Sequence, residues 1–307
     1  MDGLGSVMWL GGAPGVGKTT VARLLARRHG LRWYNADAHT WEHRDRAIAA
    51  GHPAAIRYEE SPIPDRWSAP MEERLAMSLH HERGPMVQDD LLALPTSPLT
   101  LAEGTPITPK VVGSGQALWL IPTPELQRDR LDERDLLPGV RELYQRLGDE
   151  ITAEVKRFGG QMLVVDESWS LGEVVTKVES HFADLLAHGP VATSQLERRQ
   201  LLRYANRAFV DQYQTFFTRS WARALGATSD VVLSFSCECA QAGCEKQIDL
   251  AVSDFPQPPD DGSLPLLAPG HYAMRTVQVS AVDSARAQPP DHLGARTSQW
   301  SLYGREE

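Results

Sequence analysis

Gly12, Gly17, Lys18 and Thr19 stand at the spacing G-x-x-x-x-G-K-[ST], inside the run VMWLGGAPGVGKTT over residues 7–20. These residue types at this spacing bind phosphate, each for its own reason. Gly12, Gly15 and Gly17 let the backbone turn until successive N–H groups converge on an anion-sized hollow, with Ala13 and Val16 between them. The positive end of a helix starting there adds to the field. Lys18 is placed to reach the β- and γ-phosphates of a nucleotide, and the Thr19 hydroxyl to ligate Mg²⁺, with Thr20 next in the same turn. The competing reading is a glycine-rich turn between a strand and a helix that binds nothing.

Two acids fall where such a loop could use them. Asp37 follows the apolar run Leu31–Asn35, and Glu103 closes Leu99-Thr-Leu-Ala. A carboxylate at Asp37 could accept a proton from an attacking hydroxyl or hold Mg²⁺ through water. Its bland alternative is a helix N-cap. Glu103 suits a Walker-B-type acid or a substrate ligand. After a further strand, Ala117–Ile121, comes a helix carrying Arg128, Arg130 and Arg134. Arginines there can close over a transferring phosphoryl group, or, with Asp129, Asp132, Glu133 and Asp135 interleaved, form an ion-paired surface. Residues 39–43, HTWEH, match the inverted zinc-protease pattern H-x-x-E-H but lie where no such site belongs. A solvated or substrate-side helix face is the better reading. Four apolar residues before Asp166-Glu167 also match a Walker B strand of motor ATPases. The body such an ATPase needs does not follow, so this pair is read as a strand end. Adjacent Asp89 and Asp90 read as solvated.

These groups need a scaffold. Strand, helix and strand alternate from Val7 to Val165, which implies parallel pairing and a doubly wound α/β sheet with ligands gathered at the strands' carboxyl ends. The segment 48–70, with Arg57, Tyr58, Arg66 and Trp67, reads as an insertion over the sheet's mouth that grips substrate or acts as a lid. Met71–Val87 reads as one helix and Val140–Phe158 as another, ended by Gly159-Gly160. Ser170–Leu186 is opened by a Ser170/Glu173 capping box. Gly189-Pro190 marks a break, giving a first domain over 1–188, a connecting helix within 189–226 and a cysteine-bearing β-rich module over 227–307. The long helix, Gln195–Leu225, carries an apolar stripe through Leu202, Ala205, Phe209, Phe216 and Trp221. That stripe packs in the core or meets a second copy or a partner protein.

In the last module Cys237, Cys239 and Cys244 are close enough in sequence to fold around one tetrahedral Zn²⁺, with His271 as fourth ligand. Three buried free thiols are the alternative. A metal staple would help a tail with little apolar mass. Residues 283–297 read as a loop before a final strand near Trp300–Tyr303.

The 307 residues are 42% hydrophobic and 23% charged, ordinary for a soluble α/β core with a smaller unit. A net charge of −9 disfavours a nucleic-acid polymer as main partner. No apolar run reaches membrane-spanning length, the first ten residues lack a secretory leader's pattern, and the three cysteines do not form a disulfide framework. The cytoplasm is the expected compartment.

Over residues 5–188 the chain resembles small-molecule P-loop kinases related to gluconate, shikimate and chloramphenicol kinases. The resemblance rests on GGAPGVGKTT, Asp37 after the second strand, LAEGTPITP, LIPTPELQRDRLDER and VVDESWSLGEVV. It implies a five-stranded parallel sheet, MgATP and an arginine-bearing lid. The implied roles are base for Asp37, lid charges for Arg128 and Arg134, and substrate or metal binding for Glu103. Residues 44–70 match no substrate motif of these kinases, and Arg57 is the substrate-binding candidate within them. The stretch from FSCECAQAGCEKQIDL to LAPGH resembles a small cysteine-rich module common in actinobacterial proteins. The expected activity is transfer of the γ-phosphoryl group of ATP to a small-molecule hydroxyl. The rivals are a nucleotide-dependent switch working through a partner protein and a kinase of polynucleotide ends.

Overall fold

The structure, a computed structural model, describes residues 4–272 apart from 114, 135 and 225. The central strand β1 (Val7–Gly12) is buried along its whole length. Its side chains alternate between two cores, as the pleat requires. Met8 and Leu10 join Val21 and Leu25 on one face, and Val7 and Trp9 join Ile107 and Trp119 on the other. From β1 the chain enters α1 (Lys18–His29), which Gly30 ends in the left-handed conformation. It returns through β2 (Arg32–Asn35) into a 3₁₀ turn over Ala36–His39 and then α2 (Thr40–Ala49).

The insertion expected over 48–70 is helical, as α3 (Pro53–Glu60) and α4 (Ile63–Ser68). Each has a proline in its first turn, where the missing N–H costs nothing. The single helix expected over 71–87 is instead two, α5 (Met71–Ser78) and α6 (Arg83–Ala93). The break is Leu79, left-handed at φ 57° with its side chain fully buried. Burial of Leu79 against Ala47 and Ala55 offsets that strained backbone.

The remaining core elements are β3 (Thr100–Glu103), α7 (Pro109–Val112), β4 (Ala117–Pro122), α8 (Pro124–Asp132), α9 (Pro138–Phe158) and β5 (Met162–Val165). The five strands pair in parallel in the order β2-β3-β1-β4-β5. Next come α10 (Leu171–His181), opened by the expected Ser170/Glu173 capping box, and α11 (Ala183–His188). They divide the helix expected to run unbroken to 186 at Phe182, whose ring is buried in the sheet core.

The chain then forms α12 (Gln195–Phe217) and α13 (Ser220–Ala224), where one continuous helix was expected. Thr218 Oγ1 donates back to the Thr215 carbonyl at 2.7 Å, a local bond that competes with further helix. The tail adds an antiparallel pair, β6 (Val232–Ser236) and β7 (Gln247–Ala251). Much of the apolar stripe of α12 packs within the chain. Ala205 and Phe209 meet the sheet core, Val210 and Tyr213 meet Leu233 and Phe235, and Phe216 packs on Trp41. No helix among the described residues is long and apolar enough to cross a membrane. The strand expected near 300–303 and the loop at 283–297 lie outside the described residues.

Candidate active site and metal centre

The phosphate loop is built where β1 ends. Gly12 has φ 133°, and a Cβ there would lie 2.1 Å from the Leu120 carbonyl oxygen of the adjoining strand. Only glycine allows β1 and β4 to stay paired at that point. Gly17, left-handed at φ 97°, swings the chain into α1. The loop's carbonyls are taken from outside by α8. Gln127 Nε2 donates to Pro14 O at 3.4 Å, and Arg130 Nη1 donates to Gly15 O at 3.2 Å and Val16 O at 2.8 Å. Among the described residues, the amides of Gly15 through Thr19 find no backbone acceptor. They are oriented donors at a helix N-terminus, the arrangement that receives phosphate. Lys18 Nζ folds back onto Ala13 O at 2.9 Å. Burial lowers its pKa, opposed by the charges of Asp37 and Glu103.

Both candidate acids stand at the mouth of this loop because the register puts them there: Glu103 is level with Leu10 on one side and Asn35 on the other. Glu103 is fully buried, and neither of its carboxylate oxygens has a hydrogen bond of good geometry. Burial, then the charge of Asp37, pushes its pKa up to about 8 against the pull of Lys18 and the nearby Thr19 and Trp33. An orphaned, buried carboxylate beside the Thr19 hydroxyl is a donor set that fits a hard divalent cation. The pair Asp166-Glu167 has no such place. It follows β5 at the opposite edge of the sheet from β2, Asp166 Oδ1 accepts from nearby Ser168 N at 2.8 Å, and the acids whose charges act on Lys18 are Asp37 and Glu103.

Asp37 is not the N-cap that its position after a strand allowed. That part belongs to Asn35, whose Oδ1 accepts from the amides of Asp37 at 2.9 Å and Ala38 at 3.3 Å. The Asp37 carboxylate is thereby free to accept from Thr105 Oγ1 at 3.3 Å and to face Arg83 Nη1 at 3.7 Å. Arg83 is itself fixed from behind. It donates from Nη2 to Ala36 O and from Nε to His43 Nδ1, the latter at 3.3 Å. His43 Nδ1 is then the acceptor, which assigns the ring proton to Nε2, donated to Asp90 Oδ2 at 2.7 Å. Asp90 also accepts from Tyr34 Oη at 2.6 Å and Arg46 Nη1 at 2.5 Å. Burial alone would raise the pKa of Asp90, yet the His43 and Tyr34 bonds bring it down to about 2. Asp90 is therefore an internal anion, contrary to the solvated pair expected; Asp89 does face solvent. Of the HTWEH histidines, His43 serves this network, while His39 stacks on Tyr34 and pairs with Glu42.

Of the expected arginines, Arg134 lies within electrostatic reach of Lys18, Asp37 and the half-buried Tyr144, and burial lowers its pKa. Tyr144 is pushed up to about 12 by burial and then by Asp37. Arg128 points to solvent; the side chain two positions on, Arg130, is the one on the loop. Arg57 is exposed on α3 and bonded to Glu73 at 2.6 Å, so the structure does not bring it to Asp37. Arg83 and Tyr144 were not singled out from sequence, while His43 and Asp90 were read as a helix face and a solvated acid. Arg130 stood among the three arginines after β4, with Arg128 and Arg134 preferred to it.

The tail brings Cys237, Cys239, Cys244 and His271 together, with one ligand atom from each all within 4.8 Å of one another. His271 Nδ1 is 3.4 Å from Cys237 Sγ and 3.6 Å from Cys244 Sγ. Tetrahedral Zn²⁺ with thiolate bonds of about 2.3 Å needs donors roughly 3.8 Å apart, and this cluster fits. Around it stand the contacts that usually orient zinc ligands. Ala268 N donates to Cys237 Sγ at 3.3 Å, and Arg27 of α1 donates to Cys239 Sγ at 3.9 Å, to Gln241 O at 3.3 Å and to Cys237 O. Cys239 is brought down to about 7, burial being outweighed by the Gln241 amide and by its cluster neighbours.

No protein-family model matches the sequence, and no curated protein is significantly similar to it. Among solved structures, a gluconokinase from Sinorhizobium meliloti 1021 aligns at TM-score 0.38 and 16% identity, over 60% of this chain and 95% of that one. A sugar kinase from Janibacter sp. HTCC2649 aligns at TM-score 0.34 and 18% identity, over 61% and 98%. Both scores are too low to carry an argument. By its own strand order, phosphate loop and parallel sheet, the chain has a P-loop kinase-like fold, followed by a long helix and a small β module with a Cys₃His cluster.

Proposed function

We propose that the protein is an ATP-dependent phosphotransferase that moves the γ-phosphoryl group to a hydroxyl of a small-molecule acceptor. The observation that carries this is the placement of Asp37, Glu103 and Lys18 around one phosphate-loop mouth, Glu103 ending β3 beside β1 and Asp37 following β2, the next strand out. The amides of Gly15–Thr19 and the ammonium of Lys18 hold the triphosphate, and Gly12, Ala13 and Thr20 complete the loop. The Thr19 hydroxyl and the Glu103 carboxylate are the groups that would hold Mg²⁺, which when bound neutralises phosphate charge. Asp37 accepts the proton as the acceptor's oxygen bonds to the γ-phosphorus and the bond to the ADP oxygen breaks. Arg83 keeps that carboxylate aimed, and Arg134 supplies positive charge at the transfer point. In the tail, Cys237, Cys239, Cys244 and His271 hold one structural Zn²⁺.

The test is a transfer screen with labelled ATP over a panel of hydroxylated metabolites, nucleosides and antibiotics, beside Lys18→Ala and Asp37→Asn. One acceptor should stimulate turnover strongly, and both variants should lose transfer. Full retention in Asp37→Asn removes the base assignment. Absence of ATP or GTP uptake with magnesium by folded protein overturns the proposal.

A further inference from the structure

We infer that Gln212 is a positioning residue for Asp37, and that the metal held by the Cys₃His cluster governs that positioning through α12. Two sets of contacts, both on this 23-residue helix, carry the inference. At one, Gln212 bridges the main chain of the catalytic turn: Oε1 accepts from Trp41 N and Nε2 donates to Asp37 O, each at 3.1 Å. The Trp41 amide lies in the first turn of α2, where a helix offers it no acceptor of its own. Gln212 thus ties the turn carrying the base to α12, beside the turn's own bond from Thr40 Oγ1 to Asp37 O at 2.8 Å.

At the other, α12 grips the residue between two of the thiols. Arg203 donates from Nε and Nη2 to the two Glu238 oxygens, at 2.9 and 2.8 Å, and both side chains are wholly buried. Asn206 donates to Glu238 Oε1 at 2.9 Å and exchanges two further bonds with the main chain of Ser236. Glu238 stands between Cys237 and Cys239, so the cluster's shape fixes where its carboxylate lies. A buried ion pair is favourable only in good geometry, and it leaves an uncompensated charge when that geometry fails. Helix α12 is therefore held in one register while the ligand loop is closed. Arg203 and Gln212 are nine residues apart, about 14 Å along a stiff helix, so the register at one carries to the other. With the metal removed, three thiols and an imidazole lose their common partner and the ligand loop opens. The clamp on Glu238 then loosens and the Gln212 bridge with it.

This rests on Asp37 being the base, so the decisive measurement does not use turnover. Amide hydrogen exchange is followed by NMR in the full chain, zinc-loaded and after chelation, with zinc content measured in each sample. Gln212→Ala should raise exchange at the Trp41 amide about tenfold, leaving zinc content and ATP affinity within twofold of wild type. Chelation should raise exchange at the same amide in wild type and add little in Gln212→Ala. With an acceptor in hand, both perturbations should lower kcat while the KM for ATP holds. An unchanged Trp41 amide on chelation, while the amides around Cys237 open, overturns the link to the metal. An unchanged Trp41 amide in Gln212→Ala overturns the bridge, and this variant decides alone if chelation also opens β1. Transfer surviving in Asp37→Asn would remove the base yet leave the exchange result readable.

Discussion

Arg130 and Arg128 sit two residues apart on α8, and the structure gives them opposite expectations. Arg130 holds the carbonyls of Gly15 and Val16 from outside the loop, at 3.2 and 2.8 Å; Arg128 faces solvent. Replacing Arg130 by Met keeps much of the stem and removes both bonds. Hydrogen bonds made by a charged donor contribute about 1.5–3 kcal/mol each when buried, and about half that at a part-exposed site such as this one. Losing two therefore frees the loop by roughly 2 kcal/mol, part of which ATP must restore on binding. Titration calorimetry with MgATP should show affinity about tenfold weaker for Arg130→Met and within twofold of wild type for Arg128→Ala. Equal effects from the two variants, or a loss carried by Arg128 alone, would refute the reasoning, because the loop's order would then not depend on the grip from α8.

Gly12→Ala should destabilise the fold by roughly 3 kcal/mol, from a Cβ driven into the Leu120 carbonyl and a backbone conformation alanine resists. Chemical denaturation checks this, and a variant of wild-type stability would contradict the packing described. Asp90 is depressed from its ordinary 3.8 to about 2 in the folded chain. A depressed acid stabilises fully above its unfolded value, and that contribution vanishes as pH falls from about 4 to about 2. Allowing for partial exposure, Asp90→Asn should cost about 1–1.5 kcal/mol at pH 7 and almost nothing near pH 2. Denaturation curves across that range would expose an error if the gap between variant and wild type did not close.

The parts of the site that obey a local rule were legible in the sequence. The phosphate loop is one, since strand, glycines and Lys18-Thr19 are contiguous. Asp37 and Glu103 are others, because parallel pairing forces strand ends to one side of the sheet. The Cys₃His cluster was readable from the close spacing of the cysteines and from His271 in the same tail. What stayed hidden depends on contacts across long stretches of chain. Arg83 reaches Ala36 and Asp37 over more than forty residues, and Gln212 reaches Asp37 over 175. Neither spacing leaves a trace in periodicity. Asp90 looked solvated because the adjacent acid is; helix geometry turns it about 100° away from Asp89 and into the protein. Arg128 was favoured over Arg130 by analogy with a lid, a choice that only the path of α8 over the loop could decide.

The apolar residues of α12 lie between the parallel sheet and the tail's β pair, with Phe209 edge-on to Trp33 at 5.9 Å between ring centroids. A recombinant fragment stopping at residue 188 would keep all five strands and the phosphate loop yet strip this cover from Trp33 and Trp41. Greasy surface on that scale invites precipitation. Biochemical work on transfer chemistry is best begun with the intact polypeptide, in buffers free of strong chelators.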